Sequence, residues 1–136
     1  MIARLFLGLQ ALMLIPFGCF CLLQPAQFAD SAGLAIETIT GQIELCSMYG
    51  GLQISVGIFC ALAVFSAGLR RAALITLLVI FAGLAPVRIA LGVSQGDFSF
   101  YTNFAMVFEA VSLAFLIGYL MKTRDTAPAS MGQPSV

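Results

Sequence analysis

The sequence predicts an all-α polytopic membrane protein, an antiparallel bundle of four transmembrane helices. Three observations predict it. Hydrophobic residues make up 61% of the chain and charged residues 9%, against about 25% charged in an ordinary soluble domain, so charge cannot cover a water-facing surface. Four apolar runs approach or exceed the roughly 20 helical residues that cross about 30 Å of hydrocarbon. The runs are continuous and rich in Leu, Ala and Ile. A closed barrel, the other way to satisfy a backbone in lipid, needs alternating strands of about 10 residues.

The first run extends from Leu5 to Leu23. With Arg4 ahead of it, this segment resembles a secretory signal. The apolar core is too long for one, however, and no small-x-small cleavage site follows. A lipoprotein site at Cys19 fails because Pro16 and Phe17 stand where small or aliphatic residues are needed. A retained first helix is expected. The second run extends from Leu45 to Leu69, the third from Ala72 to Gly92 and the last from Asn103 to Met121. Residues 1–121 therefore form one four-helix domain, and 122–136, small, polar and proline-bearing, form a disordered cytoplasmic tail.

Between the first two spans lies the longest connection, "QPAQFADSAGLAIETITGQIE". Pro25 can open a short interfacial helix over "PAQFADSA", since a first-turn position needs no N–H. The last connection, "VSQGDFSFYTN", is a turn followed by aromatics. Phe98, Phe100 and Tyr101, with Tyr49 near the same level, suit an interfacial belt.

The six basic residues orient the bundle. Arg4, Arg70, Arg71, Lys122 and Arg124 fall on the side shared by the termini and the central loop, while the opposite loops hold Asp30, Glu37 and Asp97. The positive-inside rule puts both termini in the cytoplasm. Net charge is zero, and no nucleic-acid partner is expected.

The sixth basic residue, Arg88, lies within the third span beside Pro86. A cation there costs a few kcal/mol or more, and such residues face a bundle interior or a wet cavity. At 1.5 Å per residue Arg88 sits about 6 Å below the outer end of its helix and Glu109 about 9 Å below the same surface. Glu44 opens the second helix at that interface. Helical spacing places Ala85, Arg88 and Gly92 on one stripe, and Thr102, Ala105, Glu109 and Ser112 on another. Glu44, Ser47, Gly51 and Ser55 share a stripe of the second helix, with Tyr49 and Gln53 on an adjacent face. The sequence thus predicts a polar cluster of Glu44, Arg88, Glu109, Tyr49 and Gln53 in the outer half of the bundle. Pro86 predicts a bend, with the freed carbonyl near residue 82 turned towards protein or water.

Two weaker signals read as packing. "MYGGLQISVG" lacks the Gly-Lys-Ser/Thr ending of a nucleotide loop. Its pairs Gly51 with Ser55 and Gly50 with Gly57 instead suit close approach of helix backbones in lipid. The four cysteines, Cys19, Cys21, Cys46 and Cys60, form no C-x-x-C, and Cys19 and Cys21 point to different faces. They read as small hydrophobes. With no His in the chain, neither a metal nor any other cofactor is expected.

"GQIELCSMYGGLQISVG", "PVRIALGVSQGD" and the Glu109 position resemble a group of small bacterial four-helix membrane proteins known as a domain of unknown function, itself similar to DoxX-like membrane proteins. Glu44, Tyr49-Gly50-Gly51, Arg88 and Gly96-Asp97 match that pattern. Cys46 departs from it, because the group often carries Arg there. The resemblance covers about residues 1–121 and implies a four-helix inner-membrane protein. The leading expectation is a module that binds a membrane lipid or small molecule in the polar pocket. An auxiliary or structural subunit of a larger membrane complex is the alternative, a DoxX-like link to quinone-dependent oxidation being implied by fold analogy. A small membrane enzyme using Glu44 and Glu109 is a further one, and a homo-oligomer is a further candidate assembly.

Overall fold

The computed structural model describes residues 1–96 and 98–124, with backbone only at Arg124. Among these the chain forms helices and no strands. Helix α1 is Ile2–Leu23, α2 is Pro25–Ala32, α3 is Ile39–Phe65, α4 is Ala67–Gln95 and α5 is Phe100–Arg124. The four long helices α1, α3, α4 and α5 are long and apolar enough to cross a membrane. This is the all-α bundle of four spans that the hydropathy predicts.

Each boundary has a local cause. Pro25 opens α2 at its first turn, and Gly33 closes it at φ 69°, a left-handed position that favours glycine. Thr38 caps α3: its hydroxyl oxygen accepts from the Gly41 N–H at 3.0 Å. At the C-terminal end of α4, Gly96 adopts φ 68° and its N–H returns to the carbonyls of Gly92 and Val93. Between α3 and α4 a single extended residue, Ser66, turns the chain.

That turn corrects the predicted second span. The apolar run Leu45–Leu69 continues across Ser66, so its last three residues belong to α4 and the helix begins earlier, at Ile39. Arginines finish the corner. Arg70 donates from Nε to the Ala63 carbonyl at 3.3 Å and from Nη2 to the Val64 carbonyl at 3.4 Å, while Arg4 Nε reaches the same Val64 carbonyl at 3.1 Å. Cations are favourable at a helix C-terminus, so the residues that carry the topological signal also cap α3.

Helix α4 runs without a break through Pro86, and both Ala82 and Pro86 are exposed. Lys122–Arg124 complete α5 rather than starting a tail. The remainder of the expected tail, 125–136, and Asp97 lie outside the described residues.

The helices associate through small residues and a narrow apolar seam. Ala3, Leu7, Ala11 and Leu14 of α1 meet Cys60 and Ala63 of α3, Ala73, Leu74, Leu77 and Phe81 of α4, and Leu116 of α5. In lipid the drive for this contact is close packing rather than the hydrophobic effect. No more than 33% of any span's most apolar window is buried, and Leu5, Leu12, Leu62, Val79 and Val111 are exposed. Such surfaces require hydrocarbon as solvent.

Helix α1 meets α3 most closely. A Cβ added at Gly18 would lie 2.7 Å from Ile54 Cγ1 and 2.8 Å from the Gly50 carbonyl oxygen; one at Gly57 would lie 2.6 Å from Ile15 Cγ1; one at Gly50 would collide with Leu22. Gly50 and Gly57 thus behave as their heptad spacing predicts. Gly51 does not, for a Cβ there meets nothing within 4 Å.

A six-residue π-helical turn, Cys46–Gly51, interrupts α3. Its wider turn upsets any reading of that face by 3.6-residue spacing. The predicted inward stripe Glu44, Ser47, Gly51 and Ser55 is accordingly not buried: Glu44, Ser47 and Ser55 are all exposed. Ser47 and Ser55 donate their hydroxyls back to the carbonyls of Ile43 and Gly51 at 2.8 and 2.9 Å, which lets them face outwards.

Candidate functional site

Arg88 and Glu109 meet between α4 and α5. Arg88 Nε donates to both carboxylate oxygens, at 3.1 Å to Oε1 and 3.0 Å to Oε2, and Nη2 lies 3.0 Å from Oε1. The stripes Ala85–Arg88–Gly92 and Glu109–Ser112 do face one another as spacing predicts: Ala85, Gly92, Glu109 and Ser112 are buried. The Glu109 side chain is 7% exposed and that of Arg88 26%. The carboxylate is therefore the sequestered partner, and the guanidinium still has an open side.

Arg88 also lines an open groove of about 490 Å³ along α4, whose lining includes Gly83, Leu84, Val87, Gln95 and Thr102. Glu109 accepts from the Nε–H, and Nη2 stands at ion-pair distance from its Oε1. A guanidinium carries five N–H donors, and among the described residues the four on the Nη atoms make no hydrogen bond. The groove extends over about 18 Å of helix at 1.5 Å per residue, from Gln95 at the outer end to Gly83.

Two tyrosines, Tyr49 and Tyr101, pack around Phe28 near the bundle mouth. Tyr49 is carried by the π-helical turn, and Tyr101 by the first turn of α5. Phe28 of α2 covers them. Its ring centroid lies 5.1 Å from that of Tyr49, 5.9 Å from Tyr101 and 5.5 Å from Phe17, and the residue is 1% exposed. The short helix predicted over "PAQFADSA" is thus a plug for the bundle mouth.

Of the five predicted cluster residues, the structure joins Arg88 and Glu109, while Tyr49 packs against Phe28. Glu44 stays exposed, and among the described residues the only ion pair is Arg88 with Glu109. Leu45 takes the inward place beside Phe28, which turns Glu44 about 100° away at 3.6 residues per turn. Shared depth did not mean shared direction. Gln53 is half-buried and makes no side-chain hydrogen bond among the described residues.

One buried polar pair escaped the sequence reading. Gln10 of α1 donates from Nε2 to Ser112 Oγ at 3.0 Å, with Gln10 1% and Ser112 3% exposed. Among the described residues its Oε1 has no hydrogen-bond partner. The signal was a lone glutamine in an apolar run, facing the stripe on which Ser112 had already been placed. Ser112 stands three residues below Glu109, so polar contacts descend from the mouth towards the middle of the bundle. Among the described residues no group of three His, Cys, Asp or Glu side chains is placed to hold a metal ion.

This chain belongs to the family described as domain of unknown function DUF4345, which matches residues 2–120. No curated protein and no solved structure matches it.

Proposed function

We propose that this member of the DUF4345 family binds a membrane-soluble amphiphile in the groove between α4 and α5, with an oxygen acceptor of its headgroup on Arg88. The carrying observation is a guanidinium that is paired with Glu109 yet still 26% exposed, on a residue that lines an open groove. Because the ion pair already balances the charge, the matching headgroup is a neutral acceptor, such as an ester or quinone carbonyl, rather than a second anion. A hydrogen bond from a charged donor is worth roughly 1.5–3 kcal/mol, and burying it away from water favours the higher end. The apolar walls at Leu84, Val87 and Leu91 would take an acyl or prenyl chain. The basic residues around Ser66 and near both ends of the chain gather at one end of the bundle and favour cytoplasmic termini in a bacterial inner membrane, with the groove on the outer leaflet.

The test is native mass spectrometry, with identification of retained lipids, on the full chain released from membranes in mild detergent. Gly83→Leu is the blocking variant: a Cβ there meets nothing within 4 Å, so the larger side chain fills the groove and leaves the ion pair alone. The wild type should retain an amphiphile that Gly83→Leu loses at unchanged thermal stability. Equal retention by both proteins, or none by the wild type, refutes the reading. A larger membrane protein co-purifying with ligand-free chain would favour the DoxX-like auxiliary subunit instead.

A further inference from the structure

We infer that Cys21 and Cys46 form a redox-active thiol pair that closes to a disulfide across α1 and α3 at the bundle mouth. It stands independently of the groove on α4.

The two residues share the small cluster beneath Phe28. Cys46 Sγ lies 4.0 Å from the Cys21 carbonyl oxygen, and both cysteines are free thiols. Ordinary helix pairs keep their axes about 8–10 Å apart, which holds most facing cysteines beyond the roughly 4.4–6.8 Å between Cα atoms that a disulfide needs. Here the backbones are closer than ordinary. Gly18, one turn before Cys21, packs against Gly50, one turn after Cys46, so tightly that a Cβ on Gly18 would stand 2.8 Å from the Gly50 carbonyl oxygen. In an antiparallel pair that crossing puts Cys21 and Cys46 at one level. Cys19 and Cys60 have no such neighbour: Cys60 packs in the other cluster, against Ala63 and Leu77.

Exposure assigns the order of events. Cys46 is half-buried, whereas Cys21 is 0% exposed. The thiolate of Cys46 attacks a small disulfide, R–S–S–R, forming a mixed disulfide and releasing one RS⁻, which takes up the proton that Cys46 lost. Cys21, deprotonated in turn, attacks the Cys46 sulfur, forms the Cys21–Cys46 bond and expels the second RS⁻, which takes the Cys21 proton. The protein loses two electrons and two protons, and the small disulfide becomes two thiols. Thiol–disulfide exchange of this kind needs an accessible attacking thiolate and a placed resolving one, the two roles that the exposures separate. Closure ties α1 to the π-helical turn that carries Tyr49.

The experiment uses the full chain with Cys19→Ser and Cys60→Ser in nanodiscs, treated with bis(2-hydroxyethyl) disulfide, denatured and labelled with maleimide–polyethylene glycol. The adducts should fall from two to none on a monomeric band and return after reduction, with a Cys21–Cys46 linked peptide two hydrogens lighter than the two reduced peptides. Adding Cys46→Ser should leave Cys21 free to label after the same treatment. The linked peptide is also sought in the wild-type chain, so the outcome does not depend on the variant's folding. Two persisting adducts, separate mixed disulfides at the two positions, or a disulfide-linked dimer overturns the proposal.

Discussion

Exchanging the ion pair for an apolar and a neutral partner together should cost far less than the two single changes suggest. Arg88→Met strands a carboxylate that is 93% shielded by difference from its 7% exposure. Removing one member of a buried pair costs about 3–5 kcal/mol. The lower end, about 3, applies because the site is open on its Arg88 side, which is 26% exposed. Glu109→Gln leaves the cation behind, but Arg88 is already 26% exposed and can swing along the groove towards the interface. That change costs about 2 kcal/mol, within the range for a lost charged hydrogen bond. Additive singles would sum to roughly 5, whereas the double variant should cost only about 2–3, a coupling within the ~0.5–3 kcal/mol seen for contacting residues. The measurement is a double-mutant cycle from unfolding in mixed micelles, followed by circular dichroism since the chain has no Trp. Additivity to within about 0.5 kcal/mol would mean that the pair carries no net interaction.

Two further predictions concern packing and orientation. Gly18→Ala and Gly57→Ala should each destabilise by about 1–3 kcal/mol through overpacking, as their new Cβ atoms meet Ile54 and Ile15. Gly51→Ala, with open space around it, should be neutral or stabilising by up to ~1 kcal/mol; equal losses at the three sites in the same micelle titration would contradict the α1–α3 crossing. A reporter that works only in the cytosol should be active when fused after Val136, and strong activity of a periplasmic reporter at that fusion would overturn the assigned orientation.

What the residues disclosed, and where they stopped, follows from what helical spacing encodes. Arg88 and Glu109 could be paired in advance because each lies on a regular stretch of helix, where 3.6-residue spacing and 1.5 Å of rise give direction and depth together. Glu44 lies just ahead of a π-helical turn, and spacing rules lose their phase there. Nothing in "CSMYGG" announces that turn. Hydropathy placed every span in the slab but missed Ser66, since a one-residue corner flanked by Phe65 and Ala67 leaves the apolar run unbroken. The α2 helix was legible because its signals, Pro25 and Gly33, are conformational rather than hydropathic. Gln10 was visible as an anomaly, yet only its contact with Ser112 shows that α1 and α5 share a polar bond. The closeness of Cys21 and Cys46 was hidden for a related reason: it depends on how nearly two glycine faces touch, which spacing along one helix does not contain.

The Arg88–Glu109 pair also sets a condition on biosynthesis. The chain leaves the ribosome from its N-terminus, so the guanidinium emerges before its carboxylate, 21 residues later. At about 5–20 residues per second α4 waits roughly one to four seconds with a charge that hydrocarbon penalises by about 2.5–3.5 kcal/mol at mid-span on insertion scales. During that interval α4 is a poor candidate for release into lipid by itself. Arg88 lies nearer the helix end than mid-span and can reach towards the interface, so the penalty is partial, and pairing with Glu109 as α5 enters is what ends it.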